Sequence, residues 1–250
     1  MTTIAHSASP RWMPRSTMIV LGLLSASGFS IALLEMTARH HFPMAQTTLS
    51  TLFYTPAGNI LFPLATLLLA TAILQWARIL RQNGSRVAFI TALAAVGLTV
   101  AVIFPTDPPG IAGPELSLSA QIHRYAAAVM FVIIPITALA IARKTQPPVR
   151  GILTSSAFLS AIAAVPAIVG RVDATTTGLN ASQSASGQSA LTNPDTWWQL
   201  LETFATNPGL TERVQLVLVL VIVAVGTISA TGSVAHKSHT NRRPSLTMEA

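Results

Sequence analysis

Six stretches of the chain are apolar and almost free of charge. They are Thr17 to Leu34, about Asn59 to Trp76, Val87 to Phe104, about Ser119 to Ala142, Gly151 to Gly170, and Val214 to about Gly232. A helix needs roughly 20 apolar residues to cross a bilayer, because the hydrocarbon core is about 30 Å thick and each residue rises about 1.5 Å. Strands of an outer-membrane barrel would instead alternate apolar and polar positions over about 10 residues, and no such alternation is present. The pattern predicts an all-α, polytopic membrane helix bundle of six transmembrane helices. Its parts are an N-terminal tail (1–16), a membrane domain (17–232) with a long loop at 171–210, and a basic tail (233–250). The first run, behind Arg11 and Arg15, has features of a signal peptide, but it stays apolar as far as Leu34, which favours a retained helix. Pro63, Pro135 and Pro166 fall inside runs, where neighbouring helices can satisfy the backbone groups they free. Small residues recur four apart at Gly22/Ala26, Ser156/Ser160 and Gly226/Ala230, a spacing that permits close helix approach.

Composition supports this reading. Hydrophobic residues make up 51% of the 250, charged residues 9%, and the mean hydropathy is +0.57. A soluble domain is about a quarter charged. There is no cysteine, which excludes disulfides and thiolate metal sites.

The placement of charge then sets an orientation. Basic residues collect in cytoplasmic loops. With the N-terminus inside, eleven of the 15 basic residues and only Glu249 of the eight acidic ones fall inside. Arg39, Arg124, Arg171 and Arg213 fall outside, with Glu35, Asp107, Glu115, Asp173, Asp195, Glu202 and Glu212. Both termini are therefore expected in the cytoplasm, for a multi-pass protein of the cell membrane. The net charge of +7 reports this topology and calls for no nucleic acid. No charged residue falls at mid-bilayer, where ion pumps and proton-coupled carriers usually keep one.

The outside segments carry the candidate chemistry. Asp107 closes the third run and His123-Arg124 opens the fourth, across "FPTDPPGIAGPELSLSAQIHR". Glu212 and Arg213 open the sixth. The segment "TTLSTLFYTPAG", which holds Ser50, reads as an interfacial stretch re-entering the second helix. In "NPDTWWQLLETF", Asn193 can cap a short helix begun by Pro194. Trp197, Leu200, Leu201 and Phe204 would share its apolar face, with Trp197 and Trp198 as interfacial anchors. A lid over a ligand is the other use of that pair. His40-His41 lack acidic or histidine partners at ligand spacing, so no metal site is expected. Asn180-Ala181-Ser182 is a formal glycosylation sequon inside a low-complexity Ser/Thr stretch.

Three pieces together resemble a known family: "TLSTLFYTPAGNILFP" before the second helix, "FPTDPPG" with "IHRYAA" across the third loop, and "GLTERVQLVLVL" opening the last helix. The chain is similar to the bacterial membrane-protein family catalogued as domain of unknown function 998. The resemblance implies a six-helix integral membrane protein of uncharacterised molecular function. It draws attention to Ser50, Pro56, Pro105, Asp107, His123 and Arg213. The long Ser/Thr-rich loop departs from the family pattern.

Two functions are open on this evidence. Asp107, His123, Arg124, Glu212, Arg213 and Ser50 are expected around one outward-facing polar cluster. Arginine grips phosphate or carboxylate in a fork, so the cluster suits an anionic lipid headgroup or a small molecule. Alternatively, an Asp107–His123 pair would orient the imidazole as a general base for a membrane-embedded lipid hydrolase or transferase. Simple structural roles compete with both: Asp107 as a turn residue before Pro-Pro-Gly, and His123 as a hydrogen-bonding residue in the first turn of its helix. No cofactor motif is present, and the expected partners are the lipid bilayer and such a ligand.

Overall fold

A computed structural model describes residues 13–39, 47–108, 116–177 and 207–240, with side chains in 165–177 and 233–240 left aside. The described residues are helical, with six α-helices and one 3-10 helix. In chain order these are α1 (Arg15–Ala38), the 3-10 helix (Leu49–Tyr54), α2 (Gly58–Gln82), α3 (Ala88–Ile103), α4 (Leu118–Ala142), α5 (Pro147–Thr177) and α6 (Pro208–Thr240). Among the described residues, four stretches are long and apolar enough to cross a membrane: α1, α2, α4 and the Pro208–Gly232 part of α6. Helix α3 is apolar but shorter, at 16 residues.

Most helices outrun the apolar runs that predict them. Helix α1 extends past Thr17–Leu34 at both ends, α5 continues to Thr177, and α6 to Thr240. The physical reason is that hydropathy marks only the lipid-facing length, whereas backbone hydrogen bonding continues into the polar layer. Pro63 and Pro135 lie within continuous helices, as expected. The proposed interfacial helix at 194–204 and the pairs His40-His41 and Trp197-Trp198 lie outside the described residues.

Consecutive helices pack on one another from α1 to α5, and α6 closes the bundle against α1, α2, α4 and α5. Lipid is as apolar as leucine, so close fit and hydrogen bonds must hold these helices together. Trp76 is fully buried, and a Cβ built on Gly226 would come within 2.5 Å of its ring, so this glycine lets α6 approach α2. Gly97 does the same between α3 and α4, where a Cβ would lie 2.7 Å from the Ala126 carbonyl oxygen. Gly22 instead faces open space, whereas Ser156, Ser160 and Ala230 are buried. Ser27 Oγ donates to the Ala65 carbonyl at 2.8 Å across α1 and α2, and the Thr91 and Thr137 hydroxyls meet at 3.1 Å across α3 and α4. At the other end, Asn83 Nδ2 donates to the Ala230 carbonyl at 2.8 Å.

Candidate functional site

The polar end of the bundle is where α1 and α3 finish and α2, α4 and α6 begin. Helix α6 opens with Glu212 and Arg213, which reach in two directions. Arg213 Nε donates to Glu35 Oε1 of α1 at 2.7 Å. Arg213 Nη1 donates to the Thr47 carbonyl at 2.8 Å, and Glu212 Oε2 accepts from the Leu49 amide at 2.7 Å. One turn of α6 thus holds the entry to the 3-10 helix by its backbone. The Glu35 and Arg213 side chains are only 14% and 18% exposed, so the pair is largely withdrawn from water. Oε2 of Glu35 is buried with no hydrogen-bond partner among the described residues.

The 3-10 helix is seated from three sides. Leu49 and Leu52 pack on Leu34 and Ala38 of α1. Its exit is a tight turn in which Thr55 Oγ1 donates to the Leu52 carbonyl at 2.7 Å and accepts from the Gly58 amide at 3.0 Å. A Cβ on Gly58 would sit 1.7 Å from the Leu52 oxygen, so this turn requires glycine. The Tyr54 hydroxyl donates to the Thr106 carbonyl and ties the element to the loop after α3. Ser50 Oγ lies 3.2 Å from Thr48 Oγ1 within this same segment.

His123 is buried in the first two turns of α4. Its Nδ1 lies 2.7 Å from the Ala101 carbonyl oxygen and 3.0 Å from that of Phe104. The last carbonyls of a helix have no partner within it, and the imidazole supplies one to the end of α3. Two acceptors at one nitrogen place its proton there, on Nδ1. Phe62 lies against the ring, with centroids 6.4 Å apart.

Asp107 belongs to a different setting. Its Oδ2 accepts from the Ser117 amide at 2.8 Å, and the Ser117 hydroxyl caps α4 by accepting from Ala120 N at 3.1 Å. Ser119 Oγ donates to the Pro105 carbonyl at 2.8 Å, closing the same loop. Hydrogen bonding from Ser117 holds the Asp107 carboxyl below its ordinary range, and the Arg124 charge lowers it further. Tyr54 is pushed up, first by burial and then by the charge of Asp107. The six residues expected in one cluster therefore fall in three places. Asp107 lies in the solvated loop, with the Arg124 charge acting on it from the second turn of α4; Glu212 and Arg213 form a half-buried layer with Glu35, next to the segment of Ser50; His123 lies within the bundle.

A cavity of ≈ 60 Å³ lies between the helices at this end of the bundle. Its apolar wall includes Leu34, Phe62, Leu69, Leu98, Met130 and Leu216, and its ionisable wall groups are His123 and Glu212. Leu69 is about two helical turns deeper than Phe62, so the polar groups stand at one end and the deep end is greasy. Small side chains, Ala65, Ala101 and Ala127, leave the space open. Among the described residues no three His, Cys, Asp or Glu side chains gather into a metal site. Charge and hydropathy gave little warning of Glu35. The usable signal was an acid just past the end of one apolar run facing an arginine at the start of another.

A bundle of apolar helices with its charged residues confined to the helix ends defines a multi-pass membrane protein. The family described as protein of unknown function (DUF998) matches residues 19–229, and the chain belongs to it. No curated protein and no solved structure matches.

Proposed function

We propose that this protein crosses the cell membrane six times, with both termini in the cytoplasm, and binds a small molecule or lipid headgroup at its outward-facing polar end. The charge distribution supports the orientation. The observation that carries the binding reading is the cavity, greasy at depth with His123 and Glu212 on its wall. A close-packed interior has few voids larger than a water molecule, and this one ends at ionisable groups. The alternative, a lipid hydrolase or transferase working through Asp107 and His123, needs a carboxylate on the imidazole. The contacts described give His123 two backbone carbonyls and give Asp107 the Ser117 amide, which favours binding over catalysis. Native mass spectrometry of the purified protein tests this. The wild type should carry an adduct that Ala127→Leu, which fills the cavity, loses. Equal adducts in both proteins, or none in either, would remove the proposal.

A further inference from the structure

At the opposite end of the bundle, α2 and α4 finish and α3 and α5 begin. Its charge is of one sign. Arg78 and Arg81 lie in the last two turns of α2, Arg86 just before α3, Arg143 and Lys144 just after α4, and Arg150 in the first turn of α5. All six side chains are exposed. The acidic side chains among the described residues, Glu35, Asp107 and Glu212, stand at the other end, so none of the six cations meets one of them. Four of the six come together at one corner. The Thr91–Thr137 contact sets α3 and α4 level with each other. Arg86 precedes Thr91 by five residues and Arg143 follows Thr137 by six, so at about 1.5 Å per residue both stand about 7–9 Å nearer this end. Packed helices lie about 8–10 Å apart, a gap that two arginine side chains can bridge from either side of one phosphate. Lys144 follows Arg143, and Arg150 Nη2 donates to the Thr145 carbonyl at 3.2 Å, which holds that guanidinium against the turn between α4 and α5.

Apolar surface continues from the same corner. Phe89, Leu93 and Val96 of α3 are exposed at helical spacing, and so are Val129, Val132 and Ile136 of α4. Arg86 lies three residues before Phe89 and Arg143 seven after Ile136, so each cation ends the exposed stripe of its own helix. A soluble polyanion would use the charges and leave the stripes. A phospholipid uses both: guanidiniums grip its phosphate in a fork, and its acyl chains run along the stripes. We propose that Arg86, Arg143, Lys144 and Arg150 form a headgroup site for an anionic phospholipid. The site is at the far end from the cavity and does not rest on the binding reading above. In the orientation proposed, it takes its lipid from the cytoplasmic leaflet.

The test is native mass spectrometry of the full-length protein, freed of lipid in detergent and titrated with phosphatidylglycerol and phosphatidylcholine of the same acyl chains. Phosphatidylglycerol should bind at least about tenfold more tightly, because the choline head brings an ammonium among the cations. Each basic side chain beside an anionic lipid is worth about fivefold, so Arg86→Gln with Arg143→Gln should weaken phosphatidylglycerol about 25-fold. Arg15→Gln with Arg78→Gln removes as much charge from the same end, on α1 and α2. In about 0.15 M ammonium acetate, where distant exposed charges are screened, that pair should stay within about threefold of the wild type. All four side chains are exposed, so both pairs should fold. If the first does not, Lys144→Gln alone should cost about fivefold. Equal losses in the two pairs would replace the site by a diffuse attraction to the whole end. Equal binding of the two lipids would overturn the headgroup chemistry. Displacement of phosphatidylglycerol by inorganic phosphate or by a short RNA would show that the apolar stripes contribute nothing and would overturn the lipid as occupant.

Discussion

The half-buried layer of Glu35, Arg213 and Glu212 and the solvated group of Asp107, Ser117 and, from α4, Arg124 lie at the same end of the bundle, and each sets acidic groups beside an arginine. They differ in access to water. The Glu35–Arg213 pair joins the first and last helices with little water around it, so losing one partner leaves a charge stranded. Asp107 closes a loop on its own helix cap, where water can replace every contact it makes. The lesson is that sequence charge marks the membrane face, whereas burial decides which charges hold the fold.

The comparison breaks most completely if the polar end is not outside. The chain has no native cysteine, so single cysteines report cleanly. Cysteines at Ser85 and Gln146 should resist an impermeant thiol reagent in intact cells, and one at Ser184 should react fully. The reverse pattern would invert the topology.

The next largest effect is on stability. Arg213→Met should cost about 3–5 kcal/mol, because Glu35 is left buried and uncompensated. Adding Glu35→Leu should recover most of it, since a buried pair replaced by apolar residues is often neutral. Unfolding in detergent, followed by near-ultraviolet dichroism, reads this. A double variant as unstable as the single one would mean that Arg213 acts mainly through the Thr47 carbonyl.

Glycines sharpen the contrast between packed and open positions. Gly58→Ala should cost about 1–3 kcal/mol, because the turn into α2 must yield. Gly22→Ala, facing open space in α1, should stabilise by about 0.5–1 kcal/mol. Two changes of the same sign would show that the turn relaxes freely.

The smallest effect belongs to Asp107. Its folded pKa is depressed, so its contribution is fully present above the unfolded value near 3.9 and is lost as pH falls through the folded value. Asp107→Asn should therefore lower the midpoint at pH 7 only slightly, by that small contribution, and remove the small acid-dependent step below about pH 4. A large loss at pH 7 would place Asp107 with the half-buried layer of Glu35 and Arg213.

The helical architecture was legible because lipid forces each spanning segment to be apolar throughout and hydrogen-bonded internally. Helix runs and internal prolines could be read from pattern alone, and the stretch before α2 as an interfacial segment, though not as a 3-10 helix. Pairings were less legible. Glu35 and Arg213 lie 178 residues apart, and nothing in local pattern links them. His123 looked like a partner for Asp107 because side-chain charges show in a sequence, whereas the open carbonyls at the end of α3 do not. The cavity is a matter of shape, built by alanines and larger side chains from six elements, and no periodicity encodes it.

The reach of Arg213 back to Glu35 has a consequence for biogenesis. At about 5–20 residues per second, α1 waits roughly 10 to 35 s for the first turn of α6 to be synthesised. Until then the nascent chain carries an acid at the end of its first helix without the guanidinium that neutralises it, and the entry to the 3-10 helix lacks its clamp. A ribosome stalled before residue 213 therefore leaves an intermediate that quality-control proteases can recognise by that unseated segment. Only the last helix completes the first.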